Sequence, residues 1–151
     1  MSVNRTLVAE NELLSDLDPV DRDALVAVAI GKTYAAGDVI FKENEDAYAV
    51  CLLLEGRIGL QMDVGNGRNL MVSTVDAGEV FAWSGLVRPH QFTATARAIE
   101  DCEVAIFKSE DLTRLFQENP RFGYAVMLRV ASLIGERLRD THLQLLGMFG
   151  A

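Results

Sequence analysis

The side chains best suited to catalysis or metal binding are few. His90 and His142 are the only histidines, and Cys51 and Cys102 the only cysteines. A two-histidine, one-carboxylate metal centre needs its ligands on one framework. Here His90 follows Pro89 in a loop stretch and His142 lies far away in a helical one, so no such set forms on strands. Two thiols are too few for a four-sulfur zinc site or an iron–sulfur cluster. Both sit in or beside apolar runs, where free cysteine behaves as a small buried hydrophobe, and a reducing compartment disfavours a disulfide between them. Nucleophile-elbow, P-loop and dinucleotide fingerprints are absent. The expectation is a protein with no catalytic residues and no metal ligands, not an enzyme.

Length and charge narrow the class further. The chain has 151 residues, enough for one domain with its own core, and a formal net charge of −8. A surface of that sign repels phosphate backbones, which argues against direct nucleic-acid binding. No stretch approaches the roughly 18 continuous apolar residues of a membrane span, and the acidic, broken N-terminus is unlike a signal peptide. A cytoplasmic protein with no membrane association is expected.

The elements read in three blocks. Residues 10–31 read as an N-terminal helix, clearest from Asp18, where Pro19 fits the first helical position and Asp21 the capping-box acid. Residues 33–108 read as β, with strands around 39–42, 49–55, 57–63, 69–75, 79–83, 93–100 and 103–107. Gly65-Asn66-Gly67 between two alternating runs is a hairpin signal. Many short, evenly spaced strands predict a closed β-roll of jelly-roll type or a β-sandwich. Residues 109–148 read as helices: Ser109 caps a short one, Asn119-Pro120 interrupts, and a long one runs from about Arg121 to Gly147. The whole, 1–151, is read as a single mainly β domain with flanking helices.

The long helix carries a heptad seam, Met127, Ala131, Ile134, Leu138, Thr141, Leu145 and Met148, spaced alternately by four and three. A second stripe, Phe122, Val126, Val130 and Leu133, could pack on the roll. A helix apolar on two faces needs two partners, so a homodimer through the C-terminal helix is expected.

This order of elements, from about residue 10 to 147, resembles the cyclic-nucleotide-binding domains of the Crp–Fnr regulator superfamily. The motifs that carry the resemblance are Tyr34-Ala35-Ala36-Gly37-Asp38-Val39-Ile40-Phe41, Leu52-Leu53-Leu54-Glu55-Gly56-Arg57-Ile58, Ala77-Gly78-Glu79-Val80-Phe81 and Thr93-Ala94-Thr95-Ala96-Arg97-Ala98. The resemblance implies a phosphate-binding cassette over Phe81, Ala82, Trp83, Ser84, Gly85, Arg88, Phe92, Thr93 and Ala94. In such a cassette a short turn aims backbone N–H groups at an anion. It further implies a base-contacting hydroxyl at Thr141, which otherwise reads as a tolerated polar residue setting the seam's register.

The cassette departs from the family pattern at its anchors. Trp83 stands where the ribose-binding glutamate is implied, Phe92 where the phosphate arginine is implied, and Ala82 where a glycine precedes the glutamate. Losing the charge-assisted bonds removes about 1.5–3 kcal/mol each. Trp83 and Phe92 offer aromatic faces for a planar or apolar effector, or else they collapse and fill the space. Arg88 and His90 read either as ordinary loop surface or as replacement cations.

The sequence therefore predicts a regulatory ligand-sensing module for a non-standard small effector, anionic or aromatic. The alternatives are a genuine cyclic AMP or cyclic GMP binding protein, or a ligand-free interaction and dimerisation module. No cofactor is assigned beyond a cyclic nucleotide or such an effector. The chain stops just past the long helix, leaving no room for a helix-turn-helix. If it is full length, no DNA-binding domain follows and the output falls to a separate protein or to the dimer itself; if it is a fragment of a longer protein, the missing part holds the output.

Overall fold

The computed structural model describes residues 3–150. Two compact units are distinguished, Met1–Arg114 and Leu115–Ala151.

The first unit begins with α1 (Arg5–Ala9), a 3-10 turn (Glu12–Leu14) and α2 (Pro19–Val28). The single helix expected over residues 10–31 is therefore divided and shifted. Asn4 caps α1 by accepting from Leu7 N–H, and Asn11 caps the 3-10 turn by accepting from Leu13 N–H. Each cap satisfies a donor that the helix itself leaves unpaired, so each starts a separate element. Val8, Leu14 and Leu25 are the buried contacts of this segment.

Eight strands follow: β1 (Ile30–Tyr34), β2 (Val39–Phe41), β3 (Ala49–Glu55), β4 (Arg57–Gly65), β5 (Arg68–Asp76), β6 (Val80–Phe81), β7 (Thr95–Ala98) and β8 (Cys102–Lys108). They form two antiparallel four-stranded sheets, ordered β1-β8-β3-β6 and β2-β7-β4-β5. The mainly β roll with flanking helices is as expected. β1 was not expected: Ile30 and Gly31 belong to a strand running beside β8, from Ile30 opposite Ile106 to Tyr34 opposite Cys102. Asn66 and Gly67 both take positive φ, 56° and 72°, which is the hairpin geometry the Gly-Asn-Gly run announces.

The core lies between the sheets and is built from Leu53, Ile58, Val75, Phe81, Ala96, Ala98 and Val104, with Cys51 and Cys102 among them. Both thiols are free. Burial pushes the Cys51 thiol up to about 12. Burial also raises Cys102, whose Sγ donates to the Glu100 carbonyl at 3.1 Å. Neither is a nucleophile near neutral pH. Gly56, between β3 and β4, has φ of 96°, and a Cβ there would strike the Asp101 carbonyl, so only glycine fits.

α3 (Ser109–Glu118) leaves the end of β8, and α4 (Pro120–Met148) forms most of the second unit. Asn119 caps α4 by accepting from Phe122 N–H, and Pro120 occupies its first turn. Phe116 and Phe122 meet edge to face at 5.7 Å. On α4 the seam residues Leu138 and Leu145 are 55% and 47% exposed. Phe122 and Val130 of the second stripe are buried.

Candidate functional site

The cassette begins where β6 ends. Phe81 is fully buried, so it backs the site from within the core. On β6, the edge strand of its sheet, Val80 and Phe81 pair with Leu52 and Cys51 of β3; both are buried, and Phe81 belongs to the core cluster. Ala82 then turns the chain in the left-handed region, φ 65° and ψ 32°, and a 3-10 turn follows over Trp83–Gly85.

A left-handed conformation costs an L-residue about 1–2 kcal/mol that glycine escapes. The glycine implied at position 82 by the family pattern thus has a backbone reason. Ala82→Gly is expected to raise stability by about 1 kcal/mol, less what glycine's freer unfolded chain gives back. The urea midpoint should rise at constant m; a fall would mean that the Ala82 methyl contributes more by packing than its φ costs.

The turn is closed internally. Gly85 N–H donates to the Ala82 carbonyl at 3.2 Å and Leu86 N–H to the Trp83 carbonyl at 2.9 Å. Gly85 N–H, expected as a donor to an anion, is thus engaged. The donors at the start of the turn, among them Ser84 N–H, are the ones helix geometry leaves without an intrahelical acceptor. Gly85 is buried, and a Cβ there would run into the Ala49 carbonyl and come within 2.9 Å of Ser109 Oγ.

Phe92 is positioned by backbone pairing across the loop. Its N–H donates to the Glu45 carbonyl at 3.0 Å, its carbonyl accepts from Asn44 N–H at 2.8 Å, and Asp46 bridges Gln91. The ring stacks on Phe41, with centroids 3.8 Å apart and planes 12° from parallel. Phe41 in turn lies 6.1 Å from Phe81 at 24°. Three rings thus form a column from the core to the half-buried Phe92. Phe41 was missed in the sequence. Its only signal there was an aromatic closing the short run Val39-Ile40-Phe41, which is 51 residues from its partner.

The remaining candidates lie differently. Trp83, Ser84 and Ala94 are half-buried, whereas Arg88, His90 and Thr93 are exposed. His90 has a positive φ of 57°, and its carbonyl accepts from Ala47 N–H at 2.6 Å. Thr141 lies on α4 in the second unit, exposed, with Oγ1 donating to the Arg137 carbonyl at 3.0 Å. The structure therefore gathers Ala82–Gly85 into one turn and places Phe92 on an aromatic column. Chemically, the site combines the Ser84 N–H of the turn with apolar ring surface.

Comparison with known proteins places these features. The family model for the cyclic nucleotide-binding domain matches residues 31–119. Lysophospholipase nte1 of Aspergillus oryzae is 29% identical over 106 residues, which are 70% of this chain and 7% of the relative. The cyclic AMP receptor protein of Thermus thermophilus is 26% identical over 133 residues, 88% of this chain and 60% of the relative. The chain thus spans a small part of the first and less than two thirds of the second. A cyclic nucleotide-binding domain from Methylobacillus flagellatus superposes with a TM-score of 0.83 at 18% identity, covering 95% of this chain and 80% of that one. That likeness is one of fold. Among the described residues no helix is long and apolar enough to cross a membrane.

Proposed function

The chain belongs to the cyclic nucleotide-binding domain family, and from that premise we propose that it is a regulatory module whose altered pocket senses a non-standard small effector. The observation that carries this reading is the Phe41–Phe92 stack. At the position where the family pattern implies an arginine for the phosphate, the side chain is an aromatic ring packed on another ring. Such a wall favours a planar or apolar face over a cyclic phosphate. The Ser84 N–H at the start of the turn, which 3-10 geometry leaves without an acceptor inside the turn, could orient a polar group of the same effector.

The output rests on α4, which we propose forms a homodimer through Leu138, Leu145 and their seam neighbours. The effector would bias that dimer, or a separate partner protein docked on it.

A thermal-shift screen against planar aromatic and small anionic compounds tests the reading. Saturation at about 100 times Kd stabilises a protein by about 2.7 kcal/mol, a shift of several degrees at this size. At least one such compound should produce it, and its effect should fall on Phe92→Ala. If nothing stabilises the chain, it is an interaction module that has lost its ligand. If micromolar cyclic AMP or cyclic GMP does so, it is a genuine cyclic nucleotide sensor.

A further inference from the structure

β4 outlasts its neighbour β7. The β4–β7 pairing ends at Gln61 opposite Thr95, whereas β4 stays paired with β5 as far as Gly65 opposite Arg68. Asp63 N–H, beyond the end of β7, donates instead to Glu43 Oε1 at 2.9 Å. Glu43 N–H in turn donates to Thr95 Oγ1 at 2.9 Å. A half-buried carboxylate thus occupies the gap between β4 and the segment that carries Phe92. Apolar residues border the same gap. Phe41, two residues before Glu43, carries the Phe92 ring, and Phe41, Ala96 and Leu60 stand in one row across the sheet. One step further along β4, Met62 pairs with Leu70 of β5, and the two are 38% and 58% exposed. Glu43 belongs to neither of the ion pairs Arg57–Asp76 and Arg114–Asp111.

We propose that the effector is a planar organic cation, its ring against Phe92 and its charge at the Glu43 carboxylate. The inference rests on the reading of this pocket as an effector site, and it adds the sign of the effector's charge. The face of an aromatic ring is negative, so the Phe41–Phe92 stack attracts a cation and repels an anion. A carboxylate beside the rings strengthens that preference through a charge-assisted bond. Two oxygens with about four acceptor sites let Glu43 keep the Asp63 N–H and still accept from a ligand. The neighbouring chain has the same sign. The Glu45 carbonyl accepts from Phe92 N–H and Asp46 bridges Gln91, so two further acids flank the ring's backbone, and Lys42 is the one cation in residues 41–46. A cyclic phosphate brought to Phe92 would meet acids there, whereas a cation would be drawn in.

Calorimetric titration of the full chain with three probes built on one bicyclic ring tests this: the cation 1-methylquinolinium, the neutral 1-methyl-2-quinolone and the anion quinoline-2-carboxylate. The cation should bind about tenfold more tightly than the neutral probe, and the anion more weakly than either. Glu43→Gln, whose amide oxygen can still accept from Asp63 N–H, should weaken the cation about tenfold and leave the neutral probe unchanged. Glu100→Gln removes the same charge at an exposed position beyond the other end of β7 and should alter neither. Phe92→Leu should weaken the cation and the neutral probe alike. If the neutral or anionic probe binds as tightly as the cation, or if Glu43→Gln leaves the cation's affinity unchanged, the proposal is overturned while the reading of an aromatic-walled effector pocket stands. Binding of none of the three overturns the proposal as well, and the effector reading then stands or falls with the wider thermal-shift screen.

Discussion

Trp83→Glu combined with Phe92→Arg is expected to bind cyclic AMP about a hundredfold more tightly than the unmodified chain. Each change returns a polar anchor where an aromatic side chain now stands, and two charge-assisted bonds of about 1.5–3 kcal/mol each exceed that gain on paper. The structure explains why only part returns. Phe92→Arg gives up a stack at 3.8 Å with Phe41, worth about 1 kcal/mol beyond its buried area. The backbone frame should survive, because Phe92 is held through its N–H and carbonyl by Glu45 and Asn44 independently of its side chain. Either single substitution should gain less than a tenth of the double variant's effect, since each leaves one end of the nucleotide unheld. Calorimetric titration of all four proteins checks this. A double variant no tighter than the unmodified chain would mean that the family's anchor positions do not map onto residues 83 and 92.

The second large effect concerns assembly. Leu138→Glu is expected to convert a dimer into a monomer, weakening association at least about a hundredfold, because an unpaired charge buried at an interface costs about 3–5 kcal/mol. Leu143→Glu is the control. Leu143 is as exposed as Leu138, each at 55%, but lies two residues from Thr141 and Leu145, hence on the far side of the helix from the seam. Light scattering should give a halved mass for Leu138→Glu and an unchanged mass for Leu143→Glu. Loss of the dimer in both, or in neither, would reject the seam.

The roll was legible because its signals are local. Gly65-Asn66-Gly67 fixes a hairpin by backbone conformation alone, and alternating apolar residues mark β4 and β8. β1 escaped notice because Ile30-Gly31 continues the apolar run of α2. That helix ends at Val28, where Ala29 turns extended and the chain enters β1 beside β8, a long-range pairing. The same holds within the site. Trp83 and Phe92 were identified by position, yet the ring that Phe92 meets comes from β2, and the N–H that Glu43 accepts from lies 20 residues downstream. Contacts between distant segments leave no periodicity to read. Ala82 is a mixed case: its departure from the family's glycine was visible, while the left-handed φ that makes the departure costly appears only in the fold.

The central claim is that this pocket no longer favours a cyclic nucleotide. Calorimetric titration of the unmodified chain with cyclic AMP and cyclic GMP tests it most directly. The account predicts dissociation constants of about tens of micromolar or weaker for both, as expected when two charge-assisted anchors are missing. A submicromolar constant for either would contradict it, and would show that the nucleotide is held by groups other than those at positions 83 and 92.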